Sequence, residues 1–148
     1  MRKPTWQPPV MIPFFLNLSQ EMLDSSKEQL NNMKDVKGKP YFLSDNEIQR
    51  CLKLYGEMNE DTPVFLEQCK RWLQLPLMVS QRKEVLKIEA ITRERHRINE
   101  EILSLVRRYQ THTINKIMET DPAELALDVL SGKIESPLFK SNREKSTD

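Results

Sequence analysis

Only three glycines occur in the 148 residues of this chain, and that scarcity restricts its architecture before any motif is considered. Tight β-turns draw on glycine for positive φ, so a sequence this poor in it does not supply the many hairpins of a sandwich or barrel. Gly38, Gly56 and Gly132 stand singly, which leaves no glycine-rich loop to cradle a phosphate. Two cysteines, Cys51 and Cys69, make neither a disulfide framework nor a four-ligand zinc site. The two histidines, His96 and His112, would lie roughly 24 Å apart on a continuous helix, too far to share a metal. Arg93 and Tyr109 occupy the positions where a di-iron bundle needs Glu-x-x-His, so no metal or cofactor is expected. No run approaches the roughly 20 apolar residues of a membrane-spanning helix. The formal net charge of +1 gives no global field toward nucleic acid.

What remains is a sequence 30% charged and 7% aromatic, the balance of helices with one wet face. Arg2 and Lys3 precede an apolar run, Val10–Leu18, but Pro13 interrupts it and no small-residue cleavage site follows. The expectation is therefore a cytoplasmic, all-α protein. Pro4, Pro8, Pro9 and Pro13 surround Trp6 and predict an extended arm over residues 1–15, either loose or laying Trp6 into a groove on this or another molecule. Residues 16–132 read as a helical domain. Residues 133–148 read as a disordered polar tail with one apolar knot at Ser136-Pro137-Leu138-Phe139, a docking motif or nothing.

Within the helical domain, Ser19, Leu23, Ser26, Leu30 and Met33 recur at three- and four-residue steps and place a first helix over about Asn17 to Lys34. Ser44-Asp45-Asn46-Glu47 is a capping box, with Leu43 and Ile48 set to form the hydrophobic staple. Ile48, Cys51, Leu52, Tyr55 and Met58 carry the next stripe, and Phe65, Leu66, Cys69, Trp72 and Leu73 the one after Pro63. Together residues 44–75 predict a helical hairpin turning near residue 61, which would bring Cys51 and Cys69 within reach of each other. Asp121-Pro122-Ala123-Glu124 starts a short closing helix that Gly132 ends.

Between them lies a segment free of proline and glycine, Leu77 to Glu119. Val85, Ile88, Ile91, Ile98, Ile102, Leu105, Tyr109 and Ile117 line one face, with Arg95 and Thr113 in two non-apolar positions. Unbroken, this spine would be about 64 Å long. A compact domain of this size is roughly 40 Å across. The weak point is Arg93-Glu94-Arg95-His96-Arg97, polar all round and expected to be solvated. The fold expected is a bundle of about five helices with a central hairpin and an overhanging spine.

The functional expectation follows from that overhang: a non-catalytic interaction or assembly protein whose spine packs on a protein partner or a second copy, coiled-coil fashion. Ile98, Ile102, Leu105 and Tyr109, with Trp6 on the arm, are the candidate contacts; the competing reading makes the spine residues the chain's own core. A nucleic-acid-binding alternative rests on Arg93, Arg97, Arg107 and Arg108, although interleaved glutamates suggest a salt-bridged face instead. A small helical enzyme using Arg97, Arg107 and Arg108 on a small dianion is the third class. It lacks a convergent catalytic constellation.

Overall fold

The computed structural model describes residues 3–119 and 121–132, and among them every regular element is helical. The elements are α1 (Ile12–Asp35), α2 (Asp45–Glu60), α3 (Thr62–Leu73), α4 (Val79–Tyr109), α5 (Ile114–Glu119) and α6 (Pro122–Leu130). No helix among them is long and apolar enough to cross a membrane.

Helix α1 begins five residues before the expected start, at Ile12. Pro13 sits in its first turn, where no backbone donor is needed, so the proline that argued for an arm begins a helix instead. The stripe read from the sequence is the buried one: Ser19, Leu23, Ser26, Leu30 and Met33, now with Ile12. After α1, Gly38 takes φ 86°, a conformation that side-chain-bearing residues resist, and the chain turns toward α2. There the Ser44 hydroxyl accepts from the Glu47 amide at 3.1 Å, while the Glu47 carboxylate contacts that same hydroxyl at 3.3 Å. Leu43 and Ile48 of the staple are both buried.

The hairpin expected over residues 44–75 does not form. Asp61, between α2 and α3, keeps right-handed helical dihedrals (φ −82°, ψ −11°), so the chain bends without reversing. Pro63 in the first turn of α3 removes a donor that a continuous helix would use, which explains the break. Helices α2 and α3 follow one another along α4 and scarcely touch each other. Cys51 and Cys69 are consequently about 27 Å apart along the helical path, and both are unbridged thiols.

The result is a bundle of three rods. Ile12 shares a cluster with Cys69, Trp72, Val85 and Ile88 at one end. The Tyr109 hydroxyl donates to the Met33 carbonyl at 2.8 Å near the other. So α1 runs parallel to α4, and the broken α2–α3 rod runs antiparallel to both. Helix α4 is continuous through Arg93–Arg97 but stops at Tyr109, giving 31 residues and about 46 Å instead of 64. The 24 residues of α1 cover about 36 Å of it, and α2 with α3 about 43 Å. The spine does not overhang: the bundle is elongated along it, whereas the 40 Å comparison assumed a sphere. At the far end, α5 leans on Pro40–Phe42, and the Ile114 amide donates to the Leu43 carbonyl at 2.8 Å.

Candidate functional site

Because α4 is sheathed, the residues expected to meet a partner are accounted for within the chain. Ile98, Ile102 and Tyr109 are buried in the larger core cluster, and Leu105 packs half-buried against it. A partner docking on this bundle does not touch the first three. The side chain of Ile117, like that of His112 and all of residues 133–148 with their Ser-Pro-Leu-Phe knot, lies outside the described residues.

The arginines expected for phosphate divide in the same way. Arg97 is clamped by Glu94 at 2.6 Å and Glu101 at 2.8 Å, and Arg93 approaches Glu89 at 4.0 Å. The Arg97 contact holds the Glu94 carboxyl below its ordinary range. Arg107 and Arg108 are exposed. The nearest-neighbour acids that the sequence interleaves therefore occupy Arg93 and Arg97, as helical spacing allows.

Arg95 contradicts the expectation of a solvated middle turn. It is 1% exposed. Its Nη1 lies 3.1 Å from Met22 Sδ and its guanidinium 4.9 Å from the Phe65 ring centroid. Among the described residues its Nε and Nη2 find no hydrogen-bond partner, nor do the buried hydroxyls of Ser19, Ser26 and Thr92 or Oδ1 of Asn99. Burial pulls its pKa down, against an opposing influence of Asp61. Periodicity placed Arg95 on the apolar face, but composition around it argued for water. His96, one residue on, is no free surface group either: its Nδ1 lies 2.8 Å from Thr62 Oγ1, which ties α4 to the start of α3. Asn59 reinforces this junction through the His96 carbonyl and Glu100.

Among the described residues, two of the apolar surfaces open to solvent bear on association. The first is the C-terminal arm, where Met118, Leu127 (66%) and Leu130 (83%) are exposed and no residue of α6 is buried. Asp121 caps α6 by accepting from the Ala123 amide at 2.8 Å, so a formed helix presents these side chains. The second is an open groove of about 770 Å³ between α1 and α2. Both helices pack on α4 but not closely on each other. Its walls include buried Met33, Leu43 and Tyr55, half-buried Val36 and Cys51, and exposed Leu54, with Glu47, Arg50, Lys53 and Glu57 also lining it. The sequence flagged the leucines of the closing helix as apolar, but nothing local indicated that they would remain uncovered.

Neither thiol is prepared for nucleophilic work. Burial pushes Cys69 up to about 12, helped by Glu89. It also raises Cys51, against the hydrogen bond from Gln29 at 3.5 Å. Among the described residues no group of three or more histidine, cysteine or acidic side chains is placed to hold a metal ion.

The arm is not loose. Gln7 donates its amide to Gln68 Oε1 at 2.6 Å, and its carbonyl accepts from Trp72 Nε1 at 2.9 Å. Trp6 lies half-buried with the Arg71 guanidinium 4.2 Å from its ring centroid.

No protein-family model matches this chain, and no curated protein and no solved structure shows significant similarity to it.

Proposed function

We propose that this chain is a non-catalytic helical assembly protein that associates through its C-terminal arm, the occupant of its α1–α2 groove being α6 of a second copy. The observation that carries this reading is the burial pattern: the stripe of α4 is covered by its own chain, whereas Leu127 and Leu130 are not. Three rods with an open seam between α1 and α2 offer the place that a fourth amphipathic helix takes in a four-helix bundle. Among the described residues the chain thus carries both an apolar helix face without a cover and an apolar groove without a filler. Reciprocal exchange between two copies satisfies both and closes on itself, as a two-fold dimer does. Charge does not oppose this pairing: α6 bears Glu124 and Asp128, and the groove is lined by Arg50 and Lys53 alongside Glu47 and Glu57. Phosphate binding is the weaker reading, because Arg93 and Arg97 already face carboxylates.

The test is light scattering on wild type and on the double variant Leu127→Glu/Leu130→Glu at micromolar concentration. A wild-type dimer that becomes a monomer in the variant, at unchanged melting temperature, is the expected result. A wild type that stays monomeric to about 100 µM, a concentration at which an interface holding even −6 kcal/mol would be populated, defeats the second copy as occupant. Ile98→Glu serves as the contrast, and is expected to unfold the chain.

A further inference from the structure

The N-terminal arm occupies a seat whose chemistry is that of peptide recognition. Gln68 of α3 faces Gln7 with both ends of its carboxamide: Oε1 takes the main-chain N–H at 2.6 Å, and Nε2 reaches the carbonyl at 3.4 Å. The Trp72 indole donates to that same carbonyl. These bonds read a peptide group, not a particular side chain. Trp6, immediately before it, is recognised through its ring by Arg71, itself steadied by Glu67 at 3.3 Å. Pro4 precedes this pair and Pro8 follows it, which holds the segment extended and lowers the entropy lost on binding.

Two further facts separate this seat from an ordinary chain terminus packed on a core. Gln68 is 8% exposed and Trp72 1%. With the arm gone, the Gln68 carboxamide and the Trp72 indole N–H exchange these bonds for water and the ring surface that the arm covered is exposed, so an incoming peptide segment regains both the bonds and the burial. The arm also fails to fill its seat. About 170 Å³ remains between it and the aromatic wall of Phe15, Phe65 and Trp72. Those rings meet edge to face, Phe15 at 6.5 Å from Phe65 and 5.9 Å from Trp72.

We infer that this seat on α3 is a recognition site for an extended, proline-flanked segment bearing tryptophan on a partner protein, with residues 4–8 acting as its built-in competitor. This inference stands apart from the assembly reading, which uses the opposite end of the bundle. A covered seat lowers the apparent affinity for the incoming segment by the fraction of time that the arm is away. Weakening the arm must therefore strengthen binding in trans.

The probe is a fluorescein-labelled peptide of residues 3–10, titrated by polarisation against the full chain. Trp6→Ala is expected to bind it saturably at micromolar concentration, wild type at least tenfold more weakly, and Trp6→Ala/Gln68→Leu not at all. Absence of saturable binding to a Trp6→Ala chain that still melts cooperatively overturns the inference, as does binding indifferent to Gln68→Leu. Should Trp6→Ala fail to fold, the Trp72 indole resonance of wild type is followed instead. A shift on adding millimolar peptide supports the site, and no shift overturns it. A wild-type dimer that Trp6→Ala abolishes while Leu127→Glu/Leu130→Glu spares it gives the seat to a second copy's arm and overturns the partner.

Discussion

Arg95 concentrates the main tension at the scale of single residues. A guanidinium without a facing carboxylate in the middle of a bundle is a stability liability, because desolvation is incompletely repaid by a thioether, an aromatic face and a distant Asp61. Replacing it with a well-packed apolar side chain of similar length removes that liability. Arg95→Met is accordingly expected to stabilise the chain by about 1–4 kcal/mol in urea denaturation, the range seen when buried ionic groups give way to hydrophobes. A destabilised variant would mean that water or another buried group satisfies the guanidinium. Cys69 gives a second residue-scale prediction. Its thiol rises to about 12 in the folded chain, from an ordinary value near 9. A raised pKa contributes stability that is fully present below the unfolded value and is lost as pH climbs through the folded one. Stability should therefore fall between about pH 9 and 12, by at most about 1.4 kcal/mol per pH unit from this group. Cys69→Ala should flatten that limb; an unchanged alkaline slope would contradict the assignment.

Among the elements, α2 shows how much local sequence controls and where it leaves slack. Its start is specified by Ser44 and its staple, its end by Pro63 three residues beyond Glu60. Yet Gly56 sits in its interior, where a Cβ would meet no atom within 4 Å. Gly56→Ala is expected to stabilise the protein by about 0.5–1 kcal/mol, since alanine fits the helix and narrows the unfolded ensemble. Thermal melts decide it, and a loss of stability would mean that the added methyl is not accommodated beside α2. Helix α6 differs, because its caps are legible but none of its residues is buried among the described residues, with only Leu125, Asp128 and Val129 half-covered. An apolar nonamer alone in water is marginal, so its leucines become fully ordered only when something covers them. That consideration links the element to the dimer test of Leu127→Glu/Leu130→Glu.

For the whole molecule, the helix boundaries marked by Ser44, Pro63, Asp121 and Gly132 and the apolar face of each rod were determined by the sequence alone. The start of α1 at Ile12 and the end of α4 at Tyr109 were not. Caps, prolines and three- or four-residue spacing act within a turn or two, and they need no distant partner to be read. The stripes Ser19–Met33 on α1 and Val85–Tyr109 on α4 are the ones the fold buries. What only the tertiary structure decided is what covers each face. Periodicity marks Ile98, Ile102 and Tyr109 as apolar whether their cover is α1 and α2 or another molecule, and Leu127 and Leu130 of α6 carry the same local signature with the opposite fate. The path at Asp61 belongs to the same class: a pair of dihedrals, not a residue type, made α2 and α3 continue in one direction and so sheathed the spine. The burial of Arg95 was hidden for the same reason. The charge run around it is real, but a helix has two sides, and the packing of α1 and α3 chose which of them stayed wet.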